Sequence, residues 1–324
     1  MWKDGRMETT RLFDAAMDTN FKSFALIKNA DIRQDRNGKD YLALTFQDRS
    51  GILDGKLWGM TDADAEKFQV GRVVYLYGRR ELFNGQPQFR IEQMRLADQH
   101  EPNDPLLYMP EGPMTKEEMQ KEIEDTLADF QLSEIQQVVR YILDEVGDDF
   151  YYYPAAKKHH HAFVGGLAYH TVSMLALAKA IQQLYPILNA DLLYAGVILH
   201  DIAKTSELSD PLSGNYTVQG NLLGHISLVA EKVSLAIQAL GLDQTSEELM
   251  LLKHMVLAHH GKKEYGSPVT PHVLEAEVLH RIDDLDASMY MVSAALEKTA
   301  PGEFSAYIPG MDGRPFYRPK LDQD

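Results

Sequence analysis

The feature that most limits how this chain can fold is a His-Asp pair closing an apolar run. It reads Leu192-Leu193-Tyr194-Ala195-Gly196-Val197-Ile198-Leu199-His200-Asp201-Ile202-Ala203-Lys204. So apolar a run reads as a buried helix, and an imidazole beside a carboxylate at its buried end is costly unless something pairs them. A divalent cation is the natural partner. The rest of the chain offers more ligands on segments that read as helices: His170 upstream, then His225, His254, His259, His260 and Asp283 downstream. The 324 residues include no cysteine. A metal must therefore be held by imidazole and carboxylate, which suits Mn, Fe, Co, Ni or Zn.

A carboxylate can bridge two ions, and Asp201 is the natural bridge. His170, His200 and Asp283 would complete one shell. His225 and His259, with His260 beside them, would hold a second ion. Paired ions of this kind clamp the attacking and leaving oxygens of an in-line phosphoryl displacement. Lys204 follows Asp201 by three residues, so both share a helix face. It is either a phosphate contact or a solvated lysine at a helix end. His159, His160 and His161 are either a solvated basic loop or a source of one side chain, His160 or His161, that binds phosphate or protonates the leaving group. His254 falls on a different helix face from His259 and reads as core.

The net charge of −16 argues against a general nucleic-acid binder. The charge is uneven, however. Residues 19–100 hold 13 Lys/Arg against 11 Asp/Glu, a balance of +2, which leaves −18 for the remainder. No apolar run approaches a membrane span, no signal-peptide pattern is present, and a cytosolic protein is expected.

Residues 1–18 read as a leader segment and 19–98 as a β domain. Strands are expected at Phe24–Ile32, Tyr41–Phe46, Ile52–Trp58, Val73–Tyr77 and Gln88–Met94, with hairpin turns at Asn37-Gly38 and Asn84-Gly85 and a helix at Asp62–Phe68. Five short strands make a small barrel in the OB manner. Tyr41, Phe46, Trp58, Tyr75, Tyr77, Phe83 and Phe89 are candidates for stacking on bases. Lys56, Arg79, Arg80 and Arg90 are candidates for phosphate contacts. Residues 99–114, with four prolines, read as a linker. From 115 to 300 the pattern is helical. Thr115 with Glu118 and Ser133 with Gln136 read as capping boxes. Helices are expected near 163–185, 190–204, 225–241, 246–260 and 271–296, with a long loop over Thr205–Leu223. The fold class is multidomain α and β: an OB-like barrel, then an all-α helical bundle. A Pro/Gly-rich tail with Phe304, Tyr307, Arg314, Phe316, Tyr317, Arg318 and Lys320 closes the chain over 301–324.

The ligand order resembles the HD metal-dependent phosphohydrolase superfamily. It stands as His170 in Gly165-Gly166-Leu167-Ala168-Tyr169-His170-Thr171, His200-Asp201 with Lys204, Gly224-His225-Ile226, His259-His260-Gly261, and Ile282-Asp283-Asp284-Leu285-Asp286. On that resemblance Asp283 is the last ligand, with Asp284 and Asp286 as alternatives. Barrel, Pro-rich linker and HD domain together resemble the YhaM-type 3′-to-5′ exoribonucleases. His160-His161-Ala162-Phe163-Val164, Gly214-Asn215-Tyr216-Thr217 and Asp312-Gly313-Arg314 are similar to that family's segments. The resemblance implies a Mn2+-dependent nuclease with two ions, acting on single-stranded RNA and to some degree ssDNA. It leaves homo-oligomer formation open. Rival expectations are an HD-type nucleotide phosphohydrolase, a cyclic-dinucleotide phosphodiesterase, or a catalytically silent regulator. The HD-GYP phosphodiesterases share the ligand order, but Gly261-Lys262-Lys263-Glu264-Tyr265-Gly266-Ser267-Pro268 lacks their Gly-Tyr-Pro triplet.

Overall fold

The computed structural model of the chain describes residues 2–3, 6–7, 9–110, 112–155, 163–211 and 215–321. It divides into two compact units, 1–111 and 112–324. His160, His161 and Gly214 lie outside the described residues.

The first unit is a closed barrel of β1 (Asn20–Gln34), β2 (Asp40–Asp48), β3 (Gly51–Trp58), β4 (Val73–Phe83) and β5 (Gln86–Leu96). The strand order is β1-β2-β3-β5-β4, closing on β1. Among the described residues only β3 and β5 pair in parallel, at Asp54–Gln88 and Gly55–Phe89. A short helix, α1 (Asp62–Lys67), links β3 to β4. The strands extend beyond the expected runs because polar ends continue the ladders past the apolar segments. Gly78 sits at a register shift between β4 and β5, where a Cβ would fall 2.0 Å from Arg90 O. Only glycine fits so close an approach.

The segment read as a leader contributes to this core. Leu12 is fully buried and its N–H donates to Asp48. Most of the segment read as a linker, up to residue 111, also belongs to the barrel unit. It forms a 3-10 turn at Pro105–Tyr108, Tyr108 is buried, and Gln47 donates to Tyr108 O at 3.3 Å.

The second unit is a helical bundle: α2 (Lys116–Ala128), α3 (Ser133–Val146), α4 (Gly166–Leu184), α5 (Ala190–Leu199), α6 (Lys204–Glu207), α7 (Val218–Ala239), α8 (Glu247–Ala258) and α9 (Leu274–Glu297). Its core joins Ile135, Val138, Val139 and Ile142 of α3 to Leu167 and Leu175 of α4 and nearly all of α5. The Thr115–Glu118 capping box is present. The expected box at Ser133 is not. Leu132 occupies the N-cap, its N–H donates to Asp191, and Gln136 turns away to Leu127 O. The loop expected over 205–223 is shorter, because α6 and α7 take both ends. By length and mean hydropathy α7 could cross a bilayer, contrary to expectation. Its buried Ile226, Leu228, Val229, Val233, Ala236 and Ile237 make it a packing helix of the bundle instead.

Candidate metal centre and nucleic-acid face

The His-Asp pair lies at a turn, not within the longer helix expected. α5 ends at Leu199, and bonds from Ile202 N to Leu199 O and from Lys204 N to Asp201 O tighten the chain before α6. This places His200 and Asp201, both buried, where four other helices bring ligands. His170 comes from α4 and Asp283 from α9. His259 and His260 follow α8. His225 sits just after a break in α7 at Gly224 (φ 70°, ψ 156°), a backbone that favours glycine. The rings form a continuous row. Centroids lie 5.3 Å apart for His170–His200, 5.2 Å for His200–His259, 5.7 Å for His225–His259 and 5.2 Å for His225–His260.

Every one of these imidazoles is anchored through Nδ1. His200 Nδ1 meets Val197 O at 2.8 Å, His259 Nδ1 meets Val256 O at 2.7 Å, and His260 Nδ1 meets Tyr265 O at 2.6 Å. A carbonyl only accepts, so these Nδ1 atoms carry the proton and each Nε2 is left with its lone pair. His170 Nδ1 meets Asp286 Oδ2 at 2.7 Å, and Ser173 Oγ donates to the other Asp286 oxygen. His225 Nδ1 and its backbone N–H both meet Glu207 Oε1 at 3.1 Å. The ligand order alone did not point to Glu207. The signal was a carboxylate one turn past Lys204 on the same face.

The free ends converge on Asp201. Its Oδ2 lies 3.3 Å from His200 Nε2, while Oδ1 lies 3.3 Å from His225 Nε2 and 3.9 Å from His259 Nε2. Asp283 Oδ1 lies 3.2 Å from His170 Nε2. Two ligand groups result, each with its atoms within 4.8 Å: His170, His200 and Asp201, and His225, His259 and His260. Asp201 presents one oxygen to each. Of the alternatives to Asp283, Asp284 is exposed and Asp286 is spent orienting His170.

His200 Nε2, Asp201 Oδ1, His225 Nε2 and His259 Nε2 are buried and have no hydrogen-bond partner among the described residues. Four such atoms aimed at one another would be strongly unfavourable, and a divalent cation would satisfy them together. The residues present fit that group. Burial pushes the His259 and His260 imidazoles down, toward the neutral ligand form. For His170 burial acts the same way, but hydrogen bonds to Asp283 and Asp286 overcome it and push the group up to about 9. Burial opposes ionisation of Asp201, yet Lys204 and His200 hold its carboxyl well below the usual range.

Lys204 differs from expectation. Its ammonium pairs with Asp201 Oδ2 at 2.5 Å, and burial is outweighed by that carboxylate, so its pKa is raised. It is largely buried and so is not a solvated lysine at a helix end. His254 is half-buried and accepts the His272 N–H at 2.9 Å, apart from the ligand row.

On the barrel the candidates separate sharply. Phe89 and Phe46 are core residues, and Tyr75 is buried beneath the Arg95 guanidinium and edge-on to Phe24. No base can stack on Phe46 or Phe89, which face the barrel interior, whereas Tyr75 has the opposite parity to the core residues Val74 and Leu76 and is covered from outside by Arg95 and Phe24. Arg80 is also structural. It donates to Phe13 O and Ala15 O and so ties down the N-terminal segment. Arg79 pairs with Glu81 at 3.1 Å, and the more exposed Arg90 lies 3.8 Å from the same carboxylate. Tyr77 is half-buried beside Asn20. Lys56 and Trp58 remain, joined by Tyr41 and Phe83. The Tyr41 and Trp58 rings lie 4.6 Å apart, and the Lys56 ammonium sits 4.9 Å from the Phe83 centroid and 5.7 Å from Trp58. Trp58 and Phe83 are about half exposed, at 57% and 51%. A groove of ≈210 Å³ runs beside them over Arg33, Thr45, Asp54 and Gln88.

Family models match both units, an HD domain over residues 167–288 and an OB-fold nucleic acid binding domain over residues 25–97. The second OB-fold domain of replication protein A from Methanococcus maripaludis aligns with 28% of this chain and 95% of its own at 10% identity, with a TM-score of 0.22. The curated relatives align almost end to end. The 3′-5′ exoribonuclease YhaM of Listeria welshimeri is 46% identical over 312 residues, covering 96% of this chain and 99% of the relative. Its namesakes from Listeria innocua and Listeria monocytogenes are 45% identical over the same spans. At that identity and coverage, the chain belongs to the YhaM family of 3′-5′ exoribonucleases.

Proposed function

We propose that this chain is a metal-dependent 3′-to-5′ exonuclease of single-stranded RNA. In this reading the barrel holds the strand and the helical unit hydrolyses it. The observation that carries the reading is the row of imidazoles anchored at Nδ1, with buried Nε2 atoms facing the two oxygens of Asp201. His170, His200, Asp201 and Asp283 would hold one ion. Asp201, His225, His259 and His260 would hold the second. Mn2+ suits this donor set. Ions bound there would polarise the phosphodiester and make water nucleophilic at neutral pH.

The chain's own residues do the rest. Asp286 and Glu207 fix the rings of His170 and His225, so each ligand lone pair is aimed before substrate arrives. Lys204, released from Asp201, stabilises charge on the phosphate. Its ammonium lies within reach of the same cleft and cannot itself be a ligand. Tyr41, Trp58 and Phe83 stack on bases without reading them, and Lys56 meets the backbone, which lets a strand of any sequence pass. The same face would also accept ssDNA.

The test is an assay of labelled single-stranded RNA, ssDNA and small nucleotides with chelator-treated protein, before and after Mn2+. Stepwise shortening of RNA from the 3′ end, dependent on added metal, is the expected result. Hydrolysis of small nucleotides with RNA left intact would overturn the reading.

A further inference from the structure

The C-terminal segment lies beyond both matched family models, and the site described so far makes no use of it. It is an ordered hairpin. Phe304 bridges to Tyr317 and Ile308 to Arg314. Ser305 N donates to Phe316 O, and Gly302 N to Arg318 O. The turn runs through Asp312 (φ 54°) and Gly313 (φ 69°). Arg318 fastens the hairpin to the end of α9 by donating to Leu296 O at 3.2 Å and Thr299 O at 2.7 Å. An arginine on the open carbonyls of a helix C-terminus is a favourable cap.

The hairpin then presents apolar rings to solvent. Phe304, Tyr307 and Tyr317 are 66%, 78% and 47% exposed. Phe304 and Tyr317 face each other with centroids 5.2 Å apart, and the Arg314 guanidinium lies 5.6 Å from the Phe316 ring. Arg314 and Lys320 are exposed and have no ion pair among the described residues. Gly310 rests against Met291 of α9. Met291 follows Asp283 by eight residues, so the hairpin meets α9 about 12 Å along the helix from that ligand. Such a distance is spanned by roughly two to four nucleotides of a single strand.

We infer that this hairpin is a second contact for single-stranded RNA, gripping the nucleotides just upstream of the scissile bond. The inference rests on the nuclease reading above. Exposed π faces interleaved with cations are what a strand of bases and phosphates needs. A second copy of the chain is the competing occupant, since exposed Glu303 and Asp312 could meet Arg314 and Lys320 across a two-fold contact, and sedimentation separates the two.

Tyr307 is largely exposed and its side chain has no hydrogen bond or ring contact among the described residues, so Tyr307→Ala tests the contact with little expected effect on the hairpin. The full-length protein, held in EDTA, is titrated with a 5′-fluorescein 12-nucleotide oligoadenylate. Tyr307→Ala should raise Kd on the order of 5- to 100-fold, the range of one lost base stack. Tyr307→Trp should restore wild-type affinity. With Mn2+ present, the preference in kcat/KM for the 12-mer over a dinucleotide should fall by the same factor through KM. An unchanged Kd in a wild-type protein that shortens RNA would overturn the inference alone. So would a change in sedimentation state caused by the substitution, which would mark the hairpin as a self-association surface. A wild-type protein that leaves RNA intact would overturn the nuclease reading, and this inference with it.

Discussion

Glu207→Ala should weaken one ion position and spare the other. Glu207 Oε1 accepts both the N–H and the Nδ1–H of His225, each at 3.1 Å, and its side chain is only 12% exposed. Hydrogen bonds to a charged acceptor each contribute roughly 1.5–3 kcal/mol. Losing the partner that orients a metal-bound imidazole typically lowers affinity about 10- to 100-fold, or ~1.4–2.7 kcal/mol. The two figures agree if the ring bond carries most of the effect. Glu207→Gln keeps an acceptor oxygen and loses the charge. Because a charge-assisted bond is roughly twice as strong as a neutral one, about half the free energy should go, a loss of roughly three- to tenfold. The assay is calorimetric titration of chelator-treated full-length protein with Mn2+, with circular dichroism as the check on folding. The wild-type isotherm should resolve two steps. In Glu207→Ala only the step belonging to the His225 group should move. Asp286→Asn, which disturbs His170 instead, should move only the other. If Glu207→Ala moves both steps equally, or neither, the orienting role is wrong.

Asp201→Ala should abolish hydrolysis in a protein that still folds, because it removes the oxygen from both ligand groups; full activity in a folded, metal-loaded variant would refute the site. Lys204→Ala should keep metal content while lowering kcat on the order of 10²–10³-fold, with partial recovery in Lys204→Arg; metal loss that tracks activity would instead assign the lysine to support of Asp201. Trp58→Ala should weaken binding of a 12-nucleotide RNA on the order of 5- to 100-fold, and Lys56→Ala should reduce the salt slope of binding by about 0.7; titration by anisotropy at several salt concentrations checks both. Glu101 is held below the usual carboxylate range, first by its bonds to Arg95, with the Asp98 N–H assisting against burial. A depressed carboxylate stabilises the fold fully above its ordinary pKa and progressively less as pH falls through the folded value. Glu101→Gln should therefore cost the barrel about 1 kcal/mol at pH 7, a modest figure because Arg95 is part-exposed, and urea unfolding curves of variant and wild type should draw together progressively as pH falls below the ordinary carboxylate range.

The sequence carried the barrel well, because each strand begins at a turn with its own chemistry. Asn37-Gly38 and Asn84-Gly85 put residues at positive φ where the chain reverses, and alternation fills the strands between. The same alternation could not say which parity faces inward. Trp58 and Phe89 look alike as strand aromatics, yet one lies on the outer face and the other at the barrel centre. Register decides, and register depends on non-local pairing such as the parallel β3–β5 contact. The burial within the N-terminal segment and the proline-rich stretch is hidden for a related reason. Their buried apolar residues, among them Leu12, Ala15, Tyr108 and Met109, show no period, so nothing local announces them.

At the candidate metal centre the grouping of the His and Asp side chains was legible and their supports were not. Ligand types follow from donor chemistry, and a buried His-Asp pair must be matched by some partner. Orientation is a tertiary property. Three of the five imidazoles are aimed by carbonyls, His200 and His259 each by the residue three positions earlier on its own helix, which any sequence supplies. The other two need carboxylates from separate elements, Asp286 on α9 and Glu207 on α6. This asymmetry has a physical sense. His200 and His259 sit where a helix ends, so the last turn leaves carbonyls open to receive Nδ1–H. His170 lies inside α4, where the carbonyls are already bonded, and His225 opens a new helical segment after Gly224, where free N–H groups and not carbonyls are exposed. Neither position offers a backbone acceptor, and a carboxylate must reach in. Orienting carboxylates are therefore to be sought where a ligand histidine stands in mid-helix or at a helix start, and Glu207 could have been found on that ground.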